Sequence, residues 1–157
     1  MQRITPFLWF DNQAEEAVHF YLSIFQDSRI VSETRYGEVG PGPEGSIMTI
    51  EFELQGQRFV ALNGGPVFTF NEAISMVVNC ETADEVDHYW EKLSAGGEPS
   101  RCGWLKDKFG VSWQVVPTKL KTLLADRDPG KTQMVMAAMM QMDKLDLNAL
   151  QTAYHDA

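Results

Sequence analysis

The chain has 157 residues, 44% hydrophobic and 22% charged, with a net charge of −9, which is the balance of a soluble globular protein with room for one core or two small modules sharing one. No basic cluster goes beyond Lys106 and Lys108, so the cationic footprint that a phosphate backbone needs is lacking and nucleic acid is not expected as a partner. No apolar run approaches the roughly 20 residues that cross a bilayer and no signal-peptide pattern opens the chain; with Cys80 and Cys102 in unrelated contexts, a reduced, cytoplasmic protein is expected.

Ile4–Phe10 reads as a buried strand, apolar and aromatic on both faces. Asp11 or Asn12 can cap the helix that follows, with Glu15 in a capping-box-like position. Ala14, Ala17, Val18, Tyr21, Leu22 and Phe25 make one apolar stripe along it. Arg29–Tyr36 looks like a strand, followed by the loop GEVGPGPEG. Ile47–Leu54 alternates cleanly, and Gln55-Gly56 turns it into a second strand, Arg58–Asn63, as a hairpin. Gly64-Gly65-Pro66 ends this unit.

The stretch AEEAVHFY (Ala14–Tyr21) then returns as ADEVDHYW (Ala83–Trp90), with Ala14/Ala83, Glu16/Glu85 and His19/His88 identical. A strand pattern (Ile74–Cys80) precedes this copy too. Thr82 caps the second helix with Glu85 completing the box, Val86, Tyr89, Trp90 and Leu93 form its buried stripe, and Gly96-Gly97 stops it. Short strands follow around Ser100–Leu105 and Val111–Val116. The order is β-α-β-β-β, twice, the mark of a duplication. From Thr118 the pattern is helical only: a short piece with Leu120, Leu123 and Leu124 ending near Pro129-Gly130, a methionine-rich helix over Thr132–Met142, and a last one over Leu145–Tyr154. The expected organisation is an α+β domain over 1–117, made of modules 1–66 and 74–117, plus a helical extension over 118–157.

With its doubled β-α-β-β-β pattern, the chain resembles the vicinal oxygen chelate superfamily of glyoxalase I, extradiol dioxygenases and fosfomycin- and bleomycin-resistance proteins. The motifs ITPFLWFDNQAEEAVHFY, FVALNGGPVFTFNEAIS, CGWLKDKFGVSWQVVP and KLDLNAL resemble the subgroup labelled 3-demethylubiquinone-9 3-methyltransferase-like. The resemblance implies two four-stranded halves curled into a cup with a pocket inside. It also implies that the ligands of the metal-using members would fall at Thr5, Ala61, Ser75 and Gln114. None of these four is a competent ligand for a tightly held divalent metal, so no metal and no other cofactor is expected. His19 and His88 lie outside the apolar stripes of their helices.

Strand alternation, anchored on those positions, makes the expected inward set Thr5, Phe7, Trp9, Phe59, Ala61, Asn63, Ser75, Val77, Asn79, Ser112, Gln114 and Val116, with Phe68 and Trp104 at the rim. Aromatics mixed with neutral hydrogen-bonding groups are the make-up of a small-molecule site. The expected function is metal-free binding of an apolar or aromatic metabolite at Thr5, Phe7, Trp9, Ala61, Asn63, Ser75 and Gln114, by a homodimer. The alternative is an enzyme, a lyase, isomerase or transferase, with Glu51 as the best available base. Methyl transfer is disfavoured because the glycines of Gly37–Gly45 and Gly64-Gly65-Pro66 do not precede a helix N-terminus, where a nucleotide cradle would need them.

Overall fold

The computed structural model describes residues 2–157, and the chain divides into two units, one running to Phe70 and the other spanning Asn71–Ala157. In the first, β1 (Phe7–Phe10) leads through α1 (Ala14–Ile24) to β2 (Ser28–Arg35), β3 (Ile47–Leu54) and β4 (Gln57–Asn63). In the second, β5 (Ser75–Cys80) leads through α2 (Ala83–Ser94) to β6 (Glu98–Pro99), β7 (Trp104–Lys106) and β8 (Ser112–Pro117). The two four-stranded sheets have the same order, β1-β4-β3-β2 and β5-β8-β7-β6, each with its first strand parallel to its last. The strand–helix–three-strand unit expected from the repeat is present in both copies.

In the first unit, α1 packs on β3 and β4. Ala14, Ala17, Val18, Tyr21 and Ile24 are buried along the helix, with Phe25 just beyond it, and Leu22, expected in the stripe, is only half-buried. The sheet answers with Leu8, Phe10, Ile50, Phe52, Phe59 and Ala61. Tyr21 stacks on Phe52 at 6.2 Å between ring centroids, so this is the helix-covered face. The expected caps, Asp11 and Asn12, are not used: Gln13 holds the cap position without a side-chain bond. Instead Ala14 donates its backbone N–H to Oδ1 of Asn63 at 2.8 Å. The parallel pairing of Phe10 with Asn63 brings the end of β4 beside the helix start, so a strand side chain satisfies one of the exposed helical donors. The β3–β4 turn is as expected, with Gln55 at φ 48° and Gly56 at φ 87°, the pair of positive values that a two-residue primed turn demands.

In the second unit Thr82 caps α2 as its sequence indicates, accepting from the Glu85 N–H at 3.1 Å, and Val86, Tyr89 and Leu93 are buried. Burying a side chain as fully as Leu93 stabilises by roughly 1.5–3 kcal/mol. The strand expected around Ser100–Leu105 is a tight turn leading into β7, with β6 just before it. Cys102 and Gly103 both take positive φ, 57° and 86°, and Ser100 donates its N–H to Trp104 O at 2.9 Å. The chain reverses where an extended run was expected.

The helical segment belongs with the second unit. It forms α3 (Thr118–Leu124), α4 (Pro129–Met139) and α5 (Leu147–His155). Pro129-Gly130, expected as a stop, starts α4: Asp128 accepts from the Gly130 N–H at 2.9 Å, and proline suits the first helical position because its missing N–H is an orphan there anyway. Leu120, Leu123, Val135, Leu145 and Leu150 form a buried cluster with Val116 of β8 packed against it. The turn at the head of β7 is tied to this segment, Cys102 N–H to Met142 O at 2.8 Å and Gly103 N–H to Asp143 O at 2.7 Å. Among the described residues no helix is long and apolar enough to cross a membrane.

Candidate functional site

Strand register decides which of the expected pocket residues share a face. In the first sheet Phe7 pairs with Val60 and Trp9 with Leu62, while Leu8 pairs with Ala61 and Phe10 with Asn63. Paired residues of neighbouring strands project to the same side. Phe7 and Trp9 are therefore on the face away from α1, and Ala61 and Asn63 are on the helix-covered face, so the expected grouping of all four around one space is corrected. Ala61 is fully buried. Asn63 is spent on scaffold, its Oδ1 capping α1 and its Nδ2 donating to Ile47 O at 3.2 Å. Thr5 is half-buried and precedes β1.

The uncovered face of the first sheet carries Phe7, Trp9, Val60, Leu62, Thr49 and Glu51. The Trp9 indole lies against Gly64, where any Cβ would sit 2.4 Å from the ring. Its N–H donates to Gly65 O at 2.9 Å, and Phe68 meets its ring edge-on at 4.9 Å. Glu51, the candidate base, is held by Arg58 Nη1 at 3.3 Å and by the Ser32 hydroxyl at 3.3 Å. Both carboxylate oxygens are thus engaged within the sheet, Oε1 by Arg58 and Oε2 by Ser32. A cavity of about 410 Å³ lies between the Pro41–Ser46 loop and Gly64-Gly65, but the Tyr36 hydroxyl there is already engaged, donating to Asn63 O at 2.5 Å.

In the second sheet the expected parity matches the register. Ser75 pairs with Ser112, Val77 with Gln114 and Asn79 with Val116, while Val78, Cys80, Trp113 and Val115 are buried on the opposite face, where α2 packs. Gln114 Nε2 donates to Ser75 Oγ at 2.9 Å, so these two polar groups satisfy each other. Cys80 is unsuited to nucleophilic work: burial, then the nearby charges of Glu85 and Glu81, push its thiol up to about 12, far from the thiolate that reacts. Asp107 is buried under the β7–β8 turn, accepting from the N–H groups of Phe109 and Val111 and from the Trp113 indole at 2.9–3.0 Å.

The residues implied as metal ligands do not fit a divalent ion. Ala61 offers no donor and lies under the helix, and the Ser75 hydroxyl and Gln114 amide hold one another. Among the described residues no group of three or more His, Cys, Asp or Glu side chains is placed to hold a metal.

The second sheet's open face also pairs Trp104 with Gln114 and Lys106 with Ser112. Against it lies a cavity of about 530 Å³ walled by Trp104, Lys106, Ser112, Glu72, Glu98 and the Pro99–Arg101 segment. That volume is in the roughly 300–1,000 Å³ range of small-molecule sites. Ser112 is 1% exposed, and its hydroxyl is the one buried side-chain polar atom without a hydrogen-bond partner among the described residues. Trp104 is half-buried, whereas Glu72 and Glu98 are exposed, so the hydroxyl sits at the floor and the carboxylates at the rim. The Lys106 ammonium closes on the Glu72 carboxylate in an ion pair. The hydrogen bond from Lys106 holds the Glu72 carboxyl below its usual range, and Glu72 in turn raises Lys106. Of these residues the sequence pattern points to Ser112 and Trp104. Glu72 lies in what reads as a linker and Lys106 in what reads as a turn; only recognition of β7 as a separate strand, with Trp104 and Lys106 alternating to one side, could have found the latter.

Residues 2–116 match a family model described as 3-demethylubiquinone-9 3-methyltransferase. The chain is 43% identical to the PhnB protein of Bacillus cereus, covering 74% of this chain and 100% of that one with a TM-score of 0.67. The fosfomycin resistance protein FosX of Mesorhizobium loti matches at 16% identity over 80% of this chain and all of its own, with a TM-score of 0.55. FosX of Listeria monocytogenes, in its complex with Mn(II) and sulfate, matches at 13% identity over 78% of this chain and 94% of its own, with a TM-score of 0.53. The two FosX likenesses concern the fold alone. No curated protein matches the sequence.

Proposed function

The chain belongs to the family described as 3-demethylubiquinone-9 3-methyltransferase, and on that premise we propose that it is a small-molecule-binding protein of the vicinal oxygen chelate fold, binding without a metal in the cavity of its second unit. The observation that carries this reading is the Ser112 hydroxyl, buried without a partner at the floor of that cavity. A buried hydroxyl with no hydrogen bond costs on the order of 1–3 kcal/mol, and such a cost is commonly kept where a group serves a ligand. Trp104 adds an aromatic wall and Lys106 a positioned charge, the mixture of apolar surface and few polar groups that fixes a small molecule.

Methyl transfer is not the reading proposed, despite the family's description. Nucleotide donors are held by backbone N–H groups where a glycine-rich turn enters a helix. Among the described residues the helices follow Gln13, Thr82, Pro117, Asp128 and Asp146, and none of these starts is such a turn.

A thermal-shift screen of small aromatic and amphiphilic molecules, run without added metal, should find compounds that raise the melting temperature. Their effect should fade in Trp104→Ala while the variant's own melting stays cooperative. Stabilisers indifferent to Trp104 would place binding elsewhere, and a saturable, stoichiometric shift by Ni²⁺, Zn²⁺ or Mn²⁺ would sink the metal-free premise.

A further inference from the structure

The charged groups that line the second unit's cavity are not all paired with one another. Two cations line it, and each already has its own carboxylate. Lys106 is paired with Glu72. Arg101 is turned to the helical segment, its Nη2 donating to Met140 O at 2.9 Å and its Nε lying 3.5 Å from Asp143. That leaves Glu98, which stands opposite Lys106 in the β6–β7 register and, among the described residues, makes no ion pair of its own. A carboxylate that lies in the field of Lys106 but makes no ion pair thus faces a cavity whose side is the Trp104 ring and whose floor is the unpartnered Ser112 hydroxyl.

We propose that this cavity takes an organic cation: a protonated primary or secondary amine carried on a flat apolar body, with Glu98 as its counter-charge, Trp104 against the body and Ser112 accepting an N–H. The inference rests on the cavity being the binding site and adds the chemistry of the ligand. An anion would have to sit beside Glu98 with both nearby cations already neutralised, and a neutral ligand would leave that carboxylate unanswered. A cation is attracted both by the carboxylate and by the indole face, and the chain's net charge of −9 steers it inward. Ser112 sharpens the choice further. Its hydroxyl can accept from an N–H that a protonated amine offers and a quaternary ammonium lacks.

The test is a set of matched probes on the full chain, read by tryptophan fluorescence and calorimetry at about 0.15 M salt, where long-range charge effects are screened. The probes are 2-phenylethylamine, its N,N,N-trimethyl derivative, 2-phenylethanol and phenylacetate, with tryptamine, tryptophol and indoleacetate as the same contrast on a larger ring. The amines should bind at least about tenfold more tightly than the alcohols and acids. Glu98→Gln, at an exposed position, should erase that preference. Ser112→Ala should weaken the primary amine about fivefold and leave the trimethyl compound unchanged, because only the former loses a hydrogen bond. Equal or tighter binding of the alcohols or acids would overturn the cationic class while leaving the cavity as the site. Binding of none of these probes up to millimolar concentration would overturn both.

Discussion

Ser112 is the residue at which stability and function pull apart. Its hydroxyl is buried and unpaired, so removing it takes away a desolvation cost without taking away a bond. Ser112→Ala should therefore stabilise the unliganded protein by about 1 kcal/mol, measured by urea unfolding, although most buried substitutions destabilise. A loss of stability instead would mean that the hydroxyl has a partner and is not held ready for a ligand. Asp107, three positions beyond Trp104, shows the opposite case: it is equally buried but has three donors around it, and it works as scaffold. The sequence does not distinguish these two. Asp107 lies between Lys106 and Lys108 and Ser112 between Val111 and Trp113, neither neighbourhood names a partner, and only the placement of donors around each one separates a committed group from an available one.

At the level of elements, Asn63 was expected among the pocket residues and is instead a joint between β4, α1 and β3. Asn63→Ala should cost about 1–2 kcal/mol, since the cap on the Ala14 N–H and the bond to Ile47 O are lost together. Hydrogen exchange should show faster exchange confined to the first turn of α1 and the start of β3. Unchanged stability would return Asn63 to the candidate binding residues. The error in the first sheet has a plain cause. Alternation within a strand tells which residues share a face of that strand, but the parity of one strand relative to its neighbour is a property of pairing. The β1 sequence FLWF is apolar on both faces, so nothing in it marks the covered side. In β5 and β8 the polar residues Ser75, Asn79, Ser112 and Gln114 all fall on one parity, and there the reading from sequence agrees with the register.

For the molecule as a whole, the helical segment after Thr118 is structural to the second unit. Leu145 is 1% exposed in the segment's core. Its side chain also abuts Gly103, where an added Cβ would come within 2.9 Å of it and equally close to the Val115 carbonyl. Leu145→Ala should cost about 2–5 kcal/mol, and its effect should reach the turn that carries Arg101 and Trp104, lowering protection of the Cys102 and Gly103 amides along with that of α4 and α5. A loss confined to the helices would show the segment to be an independent appendage. Much of this was written in the chain itself: the duplicated strand–helix–three-strand order, the Thr82 cap, the hairpin at Gln55-Gly56 and the absence of metal-ligating side chains at the positions implied by the family resemblance. All of these depend on residues close in sequence or on residue type alone. What only the tertiary structure decided is which faces meet and which polar groups are left over. The separation of Ala61 and Asn63 from Phe7 and Trp9, the pairing of Lys106 with Glu72, and the solitary hydroxyl of Ser112 all arise from contacts between segments far apart in the chain, which no local pattern encodes.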